Sequence, residues 1–137
     1  MTSRFGVLPL AHAESQPPIE SAAKQLDALD WHAFDHARGV TALQTAIAVV
    51  IGAEPHVEGL GREDVRAIER LFQAVTRAQS SLLEVELDEL AKIPLDEGRA
   101  IRIGILRRQA TVLTAELQRV LWIAHHRLFA QGHGAAS

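Results

Sequence analysis

The chain has 137 residues, 47% of them apolar and 23% charged, which is the length and composition of one folded domain. It contains no cysteine, so disulfides, thiolate zinc sites and cysteine nucleophiles are excluded. Its net charge is −3, and no apolar run approaches the roughly 20 residues that cross a bilayer. We therefore expect a cytoplasmic protein that does not enter a membrane, and its twelve arginines against two lysines favour a GC-rich bacterial source.

The first 17 residues are predicted to form an arm outside the folded domain, because prolines recur there and no helical period is present. The apolar side chains of the arm are Phe5, Val7, Leu8 and Leu10. A signal peptide is an alternative, but this apolar stretch is short and Pro9 interrupts it. We predict that the arm is either mobile or packed across a neighbouring subunit, and its apolar composition favours packing.

A first helix is predicted over residues 19–52, because apolar positions there alternate in steps of three and four, as in a coiled coil. These positions form a seam: Ile19, Ala22, Leu26, Leu29, Ala33, His36, Val40, Leu43, Ile47 and Val50. A break at Gly39 is the alternative, because Arg38 and Gly39 resemble a helix end and Thr41 begins a capping-box pattern. The seam keeps its phase across Gly39, so we favour one helix.

Two further long helices are predicted after the loop over residues 52–61. The first covers residues 62–92 and is stopped by Pro94. Asp96 can cap the second, which covers 97–130 and is followed by a disordered tail at 132–137. The apolar seam of the first is Ile68, Leu71, Val75, Ala78, Leu82 and Val85, widened by Val65, Phe72, Leu83, Leu87 and Leu90.

These elements predict an all-α domain over residues 18–131, an antiparallel bundle of three long helices with coiled-coil-like packing. If Gly39 breaks the first helix, four helices result and two of them are short. The two long helices are then partly uncovered unless another chain covers them.

The last helix has a main apolar seam made of Ile103, Leu106, Ala110, Leu113, Leu117, Val120 and Ala124. It also carries a second apolar stripe, which lies more than about 100° from that seam on a helical wheel. Its members are Ile101, Ile105, Val112 and Ile123. A curved bundle covers both faces in one interpretation, and the stripe forms a homo-oligomer interface in the other, which we favour. The expected interface also includes Phe5, Leu8 and Leu10 of the arm.

His32 and His36 are weak candidates for a metal site, because a spacing of four residues places them one turn apart on a helix. His125 and His126 are too distant along the predicted bundle to complete the set within one chain. We expect His36 to be a hydrogen-bonded polar member of the seam, and we expect no cofactor. A metal-binding helical bundle that uses both histidines, with further ligands across a subunit interface, is the alternative function.

Catalytic and nucleic-acid signatures are absent from the sequence. No glycine-rich turn presents a serine, and no phosphate-binding loop is present. The six arginines of residues 99–127 scatter around the helix, whereas a phosphate-binding surface concentrates positive charge. We therefore predict a non-enzymatic helical protein–protein interaction module, of adaptor or inhibitor type, that forms a homo-oligomer such as a dimer and binds neither nucleic acid nor membrane.

Overall fold

The structure is a computed structural model that describes residues 16–53 and 59–136, with side chains over 18–53 and 59–130. Within these ranges the chain is helical and contains no strand. The four α-helices are α1 (Gln16–Ala28), α2 (His36–Ala53), α3 (Arg62–Leu90) and α4 (Glu97–Ala136), and a 3-10 turn (Trp31–Ala33) lies between α1 and α2. The all-α prediction is confirmed.

The prediction of one continuous helix over 19–52 is wrong. The alternative of four helices, two of them short, is confirmed, but the break lies before Gly39 and not at it. The chain leaves the helix after Ala28 and begins α2 at His36. Gly39 lies inside the first turn of α2. The predicted seam fails at Ala33, which is exposed, and the buried side chains at this point are Trp31 and Phe34.

Two aspartates account for the break. Asp30 accepts a hydrogen bond from the backbone N–H of His32 (3.1 Å) and so caps the 3-10 turn. Asp35 accepts one from the N–H of Arg38 (3.2 Å), three residues ahead, as a helix N-cap does. Each carboxylate satisfies a backbone donor that a new helix leaves unpaired, so both favour a helix start where a continuous helix was expected.

Gly39 has a packing role in α2 instead of a terminating one. A Cβ atom at this position would lie 2.9 Å from Cδ1 of Leu106 and 3.1 Å from Cζ3 of Trp31. Both neighbouring side chains are buried. Glycine therefore allows α2 to approach α4 and the indole of Trp31 more closely than any other residue could.

The starts of α3 and α4 agree with the predicted starts at residues 62 and 97. The Asp64 side chain accepts a hydrogen bond from the N–H of Gly61 (3.3 Å). Asp96 accepts one from the N–H of Arg99 (3.0 Å), which confirms the predicted cap. The end of α4 differs from the prediction, because the helix continues through both glycines of the expected tail to Ala136.

The helices pack so that α1 contacts α2 and α3, α4 contacts α2 and α3, and the 3-10 turn contacts α3. Ion pairs join α1 to α3 between Glu20 and Arg70 (2.7 Å) and between Asp27 and Arg77 (2.8 Å). The largest fully buried side chains come from all four helices: Leu26, Leu43, Ile68, Leu71, Leu82, Ile103, Leu106, Leu117, Val75 and Val120. No helix in the described ranges is long and apolar enough to span a membrane.

Candidate interaction surface

The second stripe of α4, which we call the outer stripe, is exposed over most of its length. Ile101 is 59% exposed, Ile105 is 41% exposed and Val112 is 64% exposed. Ile123, the fourth predicted member, is half-buried. The main seam of the same helix is buried, so α4 has one apolar face in the core and a second face that the other described helices do not cover.

Exposed apolar side chains are concentrated on the α3–α4 hairpin. Of the eleven large apolar side chains exposed in the described residues, ten belong to α3, α4 or the turn between them, and Ile51 of α2 is the eleventh. The ten are Leu83, Leu87, Leu90, Ile93, Leu95, Ile101, Ile105, Val112, Trp122 and Phe129. We refer to these ten side chains together as the outer face of the hairpin. Leu83, Leu87 and Leu90 were expected to widen the packed face of their helix, and the structure exposes them instead.

Ion pairs tie α3 to α4 close to the turn. Glu86 pairs with Arg107, and a Cβ atom at Gly104 would lie 2.7 Å from Oε2 of Glu86, so the carboxylate lies close against the α4 backbone. Glu89 accepts hydrogen bonds from Lys92 and Arg99, each at 3.0 Å. These contacts fix the two helices relative to each other beside Ile101 and Ile105.

Glu89 is the one charged side chain among the described residues that is almost fully buried, at 4% exposure. The hydrogen bond from Lys92 lowers the pKa of Glu89 below its ordinary value of 4.5, and burial opposes this shift. Arg99 lowers the pKa further by its own hydrogen bond and charge. The Arg99 guanidinium also lies 5.2 Å from the centre of the Phe34 ring, which joins this ion cluster to the connection between α1 and α2.

The other end of the hairpin carries aromatic residues and an open cleft. The indole of Trp122, 68% exposed, stacks on the ring of His126 with 5.4 Å between ring centres. The cleft has a volume of about 310 Å³ and lies between the start of α3 and the later part of α4. Its apolar lining is Val65, Leu128 and Phe129, and its polar lining is Arg62, Arg66, Glu69 and His125. Glu69 and His125 are paired at 3.0 Å.

Neither Trp122 nor Phe129 was predicted to belong to a surface site. Both lie on the last helix outside its main seam and outside the outer stripe. Their distance from the seam on a helical wheel is the one signal in the sequence that could have identified them. The arm residues of the predicted interface, Phe5, Leu8 and Leu10, lie outside the described residues.

His32 and His36 do not share one helix face. His32 belongs to the 3-10 turn, where its Nε2 atom lies 3.5 Å from a carboxylate oxygen of Glu84. His36 begins α2, is half-buried, and has its ring 6.1 Å from the ring of Phe34. The predicted hydrogen-bond partner of His36 stays a prediction. Within the described part of the chain, no three potential metal-ligating side chains lie together.

Some of the six arginines in residues 99–127 pair with acidic residues of α3. Arg99 contacts Glu89, and Arg107 contacts Glu86. Arg119 pairs within α4 with Glu116 at 3.0 Å. No protein-family model, curated protein or solved structure matches this chain.

Proposed function

We propose that this chain is a non-enzymatic helical interaction module that forms a homo-oligomer through the outer face of its α3–α4 hairpin. The observation that carries the proposal is the concentration of exposed large apolar side chains on that face. Monomeric soluble proteins rarely expose a large continuous apolar surface, and such surfaces usually mark interaction sites. The adaptor or inhibitor role of the module and its cytoplasmic location belong to the same proposal.

The proposal includes an antiparallel four-helix arrangement. The two ion pairs between α1 and α3 both join residues 50 positions apart, which is expected if these helices run in the same direction. The pairs Glu69 with His125 and Glu86 with Arg107 advance along α3 while they go back along α4, as in an antiparallel pair. The short connection between α1 and α2 favours opposite directions for them as well.

Helix lengths support an uncovered face in this arrangement. Helices α1 and α2 have 13 and 18 residues, whereas α3 and α4 have 29 and 40. In the proposed arrangement the two short helices pack on one side of the hairpin, with α1 against α3 and α2 against α4. A second copy that presents the same outer face would bury the apolar side chains of both chains at once, as a two-fold symmetric dimer does.

Light scattering coupled to gel filtration tests the proposal. The wild-type chain is expected to give a mass of at least twice the 15.0 kDa of one chain at micromolar concentration. The double variant Ile105→Gln, Val112→Gln is expected to give a monomer with unchanged helical circular dichroism, because both side chains are exposed and contribute little to the core. Ile51→Gln is the matched control, since Ile51 is 64% exposed but lies on α2.

A monomeric wild-type chain at micromolar concentration would refute the homo-oligomer. An oligomer that Ile51→Gln dissociates and the double variant leaves intact would show that the chain associates by a different face. Circular dichroism recorded on the same samples shows whether each variant is still folded. Loss of the oligomer can therefore be distinguished from loss of the fold.

A further inference from the structure

The cleft at the open end of the hairpin combines an apolar lining with a mainly basic rim. Val65 is buried, Leu128 is half-buried, and Phe129 is 73% exposed beside them. The lining therefore presents apolar surface that a further group could cover. A volume of about 310 Å³ accommodates a few apolar side chains.

The described part of the chain begins next to this cleft. Glu20 of α1 pairs with Arg70 of α3, and Asp27, seven residues further along α1, pairs with Arg77. The same offset of 50 residues places Gln16, the first residue of α1, level with Arg66. Because Arg66 lines the cleft, α1 begins within about one helix width of it.

The apolar segment of the arm is near enough to reach the cleft. Leu10 precedes Gln16 by six residues, and six extended residues span roughly 20 Å. Adjacent helix axes are only about 8 to 10 Å apart, so the segment can cross α3 and still lie along the cleft. A short tether also gives the segment an effective concentration in the millimolar range, which favours the cleft of its own chain over that of another.

We propose that the segment Phe5–Leu10 docks into the cleft between α3 and α4 of its own chain and covers Phe129. Its four apolar side chains meet the apolar lining. Glu14, two residues before α1 in the sequence, carries a negative charge that the basic rim at Arg66 would attract. The docked arm removes Phe129 from the exposed outer face but leaves Ile101, Ile105 and Val112 of the outer stripe available, so a homo-oligomer through the outer stripe is compatible with it.

Limited proteolysis of the full chain with chymotrypsin provides the first test. The enzyme cleaves after Phe5 and Leu10, and Pro9 protects the bond after Leu8. Phe129→Ser removes an exposed side chain of the cleft and should leave the fold intact. We expect arm cleavage to be roughly tenfold faster in this variant, because cleavage follows the population in which the segment is undocked. Ile51→Ser, which removes an exposed side chain from α2, should leave the rate unchanged.

Disulfide trapping provides the second test and distinguishes the chain's own cleft from that of another copy. The chain has no cysteine, so Gly6→Cys with Arg62→Cys gives one thiol in the segment and one on the rim. Gly6→Cys with Ile51→Cys is the control. We expect an intramolecular disulfide to form roughly tenfold faster in the first pair, because docking holds its thiols together.

Three outcomes would overturn the inference. Equal cleavage rates in Phe129→Ser and wild type would mean that the segment does not use Phe129. Equal oxidation rates in the two cysteine pairs would mean that the segment has no preference for the cleft. Disulfide-linked dimers from the first pair at low protein concentration would assign the segment to the cleft of a second copy.

Discussion

Gly39 is a residue at which close packing against two buried side chains depends on the absence of a side chain. In Gly39→Ala the added Cβ would lie 2.9 Å from Leu106 and 3.1 Å from Trp31, and both neighbours are buried. Overpacking of this kind costs about 1 to 3 kcal/mol, which exceeds the gain of up to about 1 kcal/mol from better helix propensity. We expect urea denaturation to show a lower free energy of unfolding for Gly39→Ala.

Gly52→Ala is the control for this prediction, because a Cβ atom at Gly52 meets nothing within 4 Å. This glycine also lies in an α-helix, so the substitution keeps the propensity gain without the clash. We expect Gly52→Ala to be neutral or more stable by up to about 1 kcal/mol. If both variants are equally stable, the contact between α2 and α4 at Gly39 is looser than the distances indicate.

The ion pairs of Glu89 predict that part of the free energy of unfolding is lost in acid. Lys92, and after it Arg99, hold the pKa of Glu89 below 4.5 in the folded chain, against the effect of burial. A carboxylate with a lowered folded pKa stabilises the fold above its unfolded pKa, and this contribution disappears as the pH falls through the folded value. Glu89→Gln should therefore have a lower free energy of unfolding than wild type near pH 7. The difference between the two should become smaller below about pH 4.5.

Urea denaturation between pH 7 and pH 3 measures this difference. Asp88→Asn is the control, because Asp88 is the exposed neighbour of Glu89 on α3. Its stability difference from wild type should stay smaller than that of Glu89→Gln at pH 7. If the difference in free energy of unfolding between wild type and Glu89→Gln does not change with pH, the ion pairs of Glu89 with Lys92 and Arg99 do not stabilise the fold.

The connection between α1 and α2 shows how a helix start is decided by local side chains. Asp35 caps α2, so Asp35→Ala should lower the free energy of unfolding by about 0.5 to 2 kcal/mol. Thr41→Ala is the matched control, because the Thr41 hydroxyl donates to the carbonyl of Ala37 inside the helix and caps nothing. Equal losses in urea denaturation would argue against Asp35 as the residue that starts α2.

The elements differ in how well their sequences predict them. Helices α3 and α4 begin within a residue of the prediction, because each has a cap and a long regular seam. The region of α1 and α2 also has a regular seam, but this pattern describes which residues are apolar and cannot show where the chain reverses. Asp30 and Asp35 contained the missing information, since both are strong N-cap residues.

At the scale of the whole molecule, the exposure of a side chain depends on which other helix packs over it. A single sequence gives little information about how the helices pack. The outer stripe was predicted because it is a second periodic face on α4. Leu83, Leu87 and Leu90 were predicted to be packed, because the sequence cannot show that the other described helices leave these side chains exposed. The uncovered long helices expected from a broken first helix are consistent with the exposed outer face, although the break lies before Gly39.

A two-fold dimer through the outer stripe makes a prediction about its centre. Ile105 lies near the middle of the exposed run from Ile101 to Val112, and a residue near a two-fold axis lies close to its own copy. Ile105→Cys should therefore form a disulfide-linked dimer on mild oxidation, about 30 kDa as twice 15.0 kDa on non-reducing gels. Ile51→Cys, on α2, should remain largely unlinked. If Ile51→Cys forms the linked dimer more readily than Ile105→Cys, the two-fold axis does not pass near the outer stripe.

The positions of the two tryptophans give the molecule two separate optical reporters. The chain has no tyrosine, so its near-ultraviolet emission comes from Trp31 and Trp122. Trp31 is buried against Gly39, while Trp122 is mostly exposed on the outer face. In the variant Ile105→Gln, Val112→Gln, where the outer face is uncovered, acrylamide should quench Trp122 first and leave a blue-shifted signal from Trp31. Fluorescence can therefore follow two events in one sample. The emission of Trp31 reports loosening of the interior, and the quenching of Trp122 reports whether the outer face is covered.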